Sequence, residues 1–185
     1  MTWIIILIIL AILVIAVVTI YNKLIRLRNT VKSSWSDIDV QCKKRYDLVP
    51  NLVETVKGYA SHEKTVFEKV TQARAMAMQA SSPAEMAKAE NMIRDTLKSL
   101  FAVAEAYPEL KANANFMQLQ TQLQELENSI EYARRYYNAV VRDFNVLIES
   151  FPSNLIASQF NFKQAELFQL EAPETERKPV KVNFS

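Results

Sequence analysis

The side chains that do chemistry in other proteins are few in this sequence and poorly spaced. His62 is the one histidine among 185 residues. It stands in Ser61-His62-Glu63 on a predicted helix, with no cysteine or histidine at ligand spacing. A zinc site takes about three or four such ligands. A structural or surface histidine is therefore the favoured reading. Cys42, the one cysteine, falls on an apolar seam and reads as a small buried residue rather than a nucleophile. Alone it closes no intrachain disulfide, which fits a reducing compartment. Asp37 and Asp39 are two positions apart and point to different sides of a helix, so they form no acid–base pair. Asp39 and Lys43 have the spacing of an ordinary surface pair. Glu63 with Glu68, and Glu125 with Glu127, have no better claim. A di-iron bundle requires Glu-x-x-His pairs on two helices, and the sequence has none. A phosphate-cradling loop is rich in glycine, and Gly58 is the single glycine. No catalytic, cofactor-binding or metal-binding residue is expected, and an enzyme is the least favoured class.

What the sequence does specify is a frame. Trp3 to Tyr21 is an uncharged run of Ile, Leu, Val and Ala, with Thr19 the only polar side chain before the tyrosine. At about 1.5 Å per helical residue, roughly 19 residues cross the ~30 Å hydrocarbon core. A helix satisfies every backbone N–H and C=O there without water. Trp3 and Tyr21 flank the run, where amphipathic rings favour the headgroup zone. The competing reading is a cleaved signal peptide, which needs a basic start and small residues at a cleavage site. Neither is present, so residues 1–22 are expected to remain as an anchor. Lys23, Arg26, Arg28 and Lys32 follow it directly. The positive-inside rule then places the N-terminus outside and the remaining chain in the cytoplasm, at the inner membrane. These four residues form a basic collar for anionic headgroups, each worth ~1 kcal/mol.

Below the collar the chain is expected to be all-α. One glycine is too few for turn-rich β architecture, and Ala, Leu, Glu, Gln, Met, Lys and Arg favour helices. The charge balance, 22 basic against 20 acidic residues, gives no reason to expect a nucleic-acid partner.

The predicted architecture is a transmembrane helix continuous with an antiparallel long-helix bundle of about four helices, residues 23–170, then an extended or disordered tail, 171–185. Leu24, Leu27, Val31, Trp35, Ile38, Cys42, Tyr46 and Val49 repeat every 11 residues, which favours a nearly straight seam. The first helix is expected to run to about Tyr46, where Asp47-Leu48-Val49-Pro50 should end or kink it. A second helix is expected from about Pro50 to Gln79, with Gly58 marking either a bend or a close backbone approach. Ser82 and Glu85 make a capping box with Pro83 at the first helical position, opening a third helix that ends near Ala106. Pro108 to Asn115 is a polar connection with room for a helical turn. From Phe116 to Phe151, steps of three and four place apolar residues on a heptad seam that Pro152 stops. Trp35, Tyr46, Phe67, Phe101, Tyr137 and Phe144 read as core. Leu155 to Phe162 is too apolar for a free loop and should pack back on the bundle. In the tail, Val180 to Phe184 alternates like a short strand that is either disordered or adds to a partner's edge.

Several runs resemble one family. They are Trp35-Ser-Asp-Ile-Asp-Val-Gln41, Arg45-Tyr-Asp-Leu-Val-Pro-Asn-Leu-Val-Glu-Thr-Val-Lys-Gly-Tyr-Ala60, and His62-Glu63. Ala104-Glu-Ala-Tyr-Pro-Glu-Leu-Lys-Ala112, Phe116 with Leu119-Gln120, Tyr137-Asn138, Phe144-Asn145, Phe151-Pro152 and Asn154-Leu-Ile-Ala157 continue it. Together they are similar to the LemA family of bacterial membrane proteins over nearly everything after the anchor. Phe160-Asn-Phe162 departs from it, standing where the family commonly has a glycine. The resemblance implies an N-terminal anchor and a helical bundle, and it carries over no catalytic residues or cofactors. One member is associated with forming magnetosome membranes, and others occur beside membrane proteases.

Two functions follow as expectations. One is a non-enzymatic scaffold that binds membrane lipids, self-associates as a homo-oligomer and organises or remodels the membrane. The other is an adaptor for a membrane protease or signalling protein. Its candidate surface is Asp47, Pro50, Asn51, Glu54 and Gly58, where proline and glycine disturb a regular helix; the bland alternative is that they fit a bundle corner.

Overall fold

The computed structural model describes residues 1–169. The expected extended or disordered tail at 171–185, and the expected short strand at 180–184, lie outside them. The described residues are all-α, with no strand among them. Six helices follow in order: α1 (Thr2–Lys57), α2 (Lys64–Gln79), α3 (Pro83–Glu105), α4 (Pro108–Lys111), α5 (Ala114–Glu149) and α6 (Ser153–Gln159). The described residues divide into two compact units, the first comprising residues 1–42 and 127–167, the second residues 43–126 with 168 and 169.

In the first unit, α1 is exposed on every residue from Thr2 to Thr19. Packing begins at Ile20. Leu24 is fully buried in a cluster with Phe144 of α5 and Ala157 of α6, and Ile20, Leu27, Val31, Leu147 and Ile156 pack around it. Further along, the rings of Trp35 and Tyr137 stand 5.5 Å apart. α1 and α5 therefore run antiparallel in this unit, as the two periodic stripes require. Leu155–Phe162 packs back through Ile156, Ala157 and Phe162. Phe151 is a correction. Its place on the heptad seam predicts burial, yet it is 80% exposed. α5 ends at Glu149, so the heptad phase no longer governs a residue beyond the helix.

Asn161, in the Phe160–Phe162 stretch, makes the turn after α6. It has φ 54°, the left-handed region that asparagine tolerates better than most residues. The Phe162 amide bonds the Ala157 carbonyl at 2.9 Å and the Asn161 amide bonds Ser158 at 3.1 Å. This is the six-to-one, five-to-two pattern that closes a helix C-terminus.

In the second unit, the expected break at Pro50 is also corrected. α1 passes through Pro50 to Lys57, and α2 begins only at Lys64. A proline within a helix removes the bond to the carbonyl four residues back, here that of Tyr46. Arg74 of α2 replaces the missing amide, its Nε donating to the Tyr46 carbonyl at 2.7 Å. The break falls instead at Gly58–Glu63, and His62 lies exposed in that turn rather than on a helix. Gly58 has no positive φ; a Cβ there would meet the Thr55 carbonyl at 3.4 Å. It marks the helix end, not a close approach.

α3 opens as its sequence requires. The Ser82 hydroxyl accepts from the Glu85 amide at 3.2 Å, the Glu85 carboxylate accepts from the Ser82 amide at 3.3 Å, and Ala106 caps the other end. The connection from Pro108 holds one short helix, α4. α5 starts from Asn113, whose Oδ1 accepts from the Phe116 amide at 3.0 Å. Cys42, Tyr46, Phe67, Tyr137 and Phe144 are buried, while Trp35 and Phe101 are half-buried.

Candidate functional site

The residues that could act fall in two places, one in each unit. In the first, the apolar run closes on Tyr21, which is half-buried. Its ring lies 4.7 Å from that of Phe160 and 6.0 Å from that of Phe162. Phe162 in turn stands 6.4 Å from Phe144, and the Arg28 guanidinium sits 5.3 Å over the Phe162 ring. Such stacking anchors the arginine stem while its charge faces water. Trp3 is 78% exposed at the opposite end of the run. Lys23, Arg26, Arg28 and Lys32 are all exposed, so each can reach an anionic surface.

The segment after α6 is tied down by polar contacts that sequence reasoning missed. The Asn145 side chain bonds Ala165 twice, Nδ2 donating to its carbonyl and Oδ1 accepting from its amide, both at 2.9 Å. The Tyr137 hydroxyl donates to the Glu166 carbonyl at 2.8 Å. Burial, and then the nearby Glu166 charge, push the Tyr137 hydroxyl above its ordinary pKa. The signal was an asparagine at a half-buried position beside Phe144, where an unpaired amide would be costly.

In the second unit, Asp47, Pro50, Asn51, Glu54 and Gly58 are all exposed. Their spacings of three and four put the first four on one face of α1, with Gly58 just past its end. Asp47 stands 3.9 Å from the Arg74 guanidinium, and Glu54 accepts from Lys57 at 2.7 Å.

Beneath the surface, Arg45 and Glu90 form an ion pair whose side chains are 2% and 5% exposed. Glu90 also accepts from the Tyr46 hydroxyl. This pair was likewise missed. Its signal is positional: Arg45 is three residues after Cys42, and Glu90 is four after Met86 and three before Ile93. Both occupy apolar stripes, with opposite charge.

A shallow depression of about 500 Å³ is lined by Lys57, Lys64, Phe67 and Glu68, among others. No group of three potential metal ligands occurs among the described residues.

The geometry defines a class: an all-α protein whose N-terminal helix is long and apolar enough to cross a membrane. The sequence model of the LemA family matches residues 34–184, and the chain belongs to that family. It is 29% identical over 160 residues to Protein LemA of Metamycoplasma hominis, a match covering 84% of this chain and 71% of that one. It is 25% identical over 175 residues to Magnetosome protein MamQ 2 of Paramagnetospirillum magneticum. It is 22% identical over 174 residues to Magnetosome protein MamQ of Magnetospirillum gryphiswaldense. Both of these matches cover 80% of this chain, which spans 64% of the length of those magnetosome proteins. None of the three names is that of an enzyme.

Proposed function

We propose that the protein is a non-enzymatic scaffold, fixed in the bacterial inner membrane by α1, that self-associates and organises the membrane around it. The observation that carries this reading is the course of α1 in the first unit. The helix leaves its exposed apolar run and enters a packed core at Leu24 without a break. A force on that core would therefore reach the span through one continuous helix. Lys23, Arg26, Arg28 and Lys32 follow the run, which favours a cytoplasmic body. The likeness to two proteins named for the magnetosome supports a role in membrane organisation. Crosslinking in native membranes tests it. A ladder of higher-order species is expected, and monomer alone at native expression would overturn it.

The second reading, an adaptor for another membrane protein such as a protease, rests on the exposed face of Asp47, Pro50, Asn51 and Glu54. A stoichiometric hydrolase recovered in mild detergent, and lost on Asn51→Arg with Glu54→Lys, would favour the adaptor. Recovery of this chain alone would favour the scaffold.

A further inference from the structure

We infer that the turn between α5 and α6, with Phe151 at its tip, is a second membrane contact that enters the headgroup zone beside the span. This rests on the reading of α1 as an anchor. The turn and α6 carry three large apolar side chains left open to solvent: Phe151 in the turn is 80%, Leu155 on α6 62% and Phe160 at its C-terminal cap 53% exposed. Such a patch on a small helical body marks an interaction site.

Its height along α1 identifies the occupant. Phe144 packs with Leu24, whereas Tyr137 packs with Trp35, so α5 climbs toward the span as its numbers rise. From Phe144 to the end of α5 at Glu149 the climb is about 8 Å. Counted back along α1 from Leu24, that is the height of Thr19. The turn therefore stands level with the last residues of the apolar run. Phe160 fixes the same height independently, since its ring lies 4.7 Å from that of Tyr21, the residue that closes the span. If α1 crosses a bilayer, Phe151 and Leu155 meet the headgroup and upper acyl region, where apolar side chains on a short helix are held by burial. The exposed collar residues Lys23 and Arg26 lie at the neighbouring level and suit an anionic leaflet. The occupant is thus lipid, and a second copy of this chain is an outcome the experiment separates.

The full chain is reconstituted in phosphatidylcholine–phosphatidylglycerol vesicles, with an environment-sensitive fluorophore on a single introduced cysteine. Phe151→Cys reports the turn, Tyr132→Cys a lower exposed point on α5, and Leu10→Cys the span. Cys42 is fully buried, and the unsubstituted chain controls for its labelling. Nitroxide lipids labelled near the headgroup are expected to quench the Phe151→Cys probe at least about threefold more than the Tyr132→Cys probe. Lipids labelled deep in the acyl chain should quench the Leu10→Cys probe. Quenching at position 10 with position 151 no different from 132 would overturn the inference and leave the anchor standing. No quenching at position 10 would overturn both. Energy transfer between copies labelled at 151, without lipid quenching there, would also overturn it and assign the patch to self-association. In a Phe151→Ser, Leu155→Ser chain, a probe at Gln159→Cys should fall to the quenching seen at position 132, with helical content unchanged because both residues are exposed.

Discussion

Arg74 on α2 donates its Nε proton to the main-chain carbonyl of Tyr46 on α1 at 2.7 Å, occupying the acceptor that Pro50 leaves without a helical amide. The contact explains how a proline sits inside α1. Arg74→Ala should cost about 1–2 kcal/mol by removing the donor to that carbonyl. In a Pro50→Ala background the restored amide takes the carbonyl, and the same substitution should cost less than about half as much. Thermal unfolding of the four chains measures the coupling. Strict additivity would refute the compensation.

Arg45 and Glu90 should show the asymmetry of buried ion pairs. Glu90→Ala removes the buried carboxylate that pairs with Arg45 and is expected to cost about 3–5 kcal/mol. Arg45→Met with Glu90→Leu removes both charges and should recover most of that loss. Chemical denaturation distinguishes the two, and equal destabilisation would contradict the account.

Asn161 holds a left-handed backbone at the end of α6. Asn161→Gly should be neutral or slightly stabilising, and Asn161→Val should cost about 1–2 kcal/mol through its branched side chain. The penalty should appear locally as faster amide exchange at Phe162, whose N–H closes the cap.

Glu85 gives the pH dependence a sign. Hydrogen bonds from the Ser81 amide, the Ser81 hydroxyl and the Ser82 amide hold its carboxyl below its ordinary pKa. The folded form therefore favours the carboxylate. Its contribution is present above the ordinary glutamate range and is lost as pH falls through the lowered value. Amide protection in the first turn of α3 should decline with acid over that window. Glu85→Gln should flatten the dependence.

Much of this frame was readable from residue order. The Ser82–Glu85 box and the stop near Ala106 follow from side chains acting on neighbours three or four positions away, a relation visible in one dimension. The same holds for the apolar run to Tyr21. Pro50 misled because the carbonyl it leaves open, that of Tyr46, was answered from 28 residues away by Arg74, which periodicity does not register. Phe151 misled because a heptad phase was carried past the end of its helix. Arg45 and Glu90 lay in plain sight on apolar stripes, but pairing them required knowing which faces of α1 and α3 meet. The clamp from Asn145 to Ala165 depends on a folded-back segment that has no periodic signature.

The burial of Leu24 against Phe144 and Ala157 sets an order of events during synthesis. Leu24 leaves the ribosome 120 residues before Phe144, an interval of roughly 6–24 s at ordinary rates of translation. Throughout that time the apolar flank that follows the exposed run lacks Phe144 and Ala157, so this core cannot close, and a nascent chain must be sheltered there, until the C-terminal third arrives.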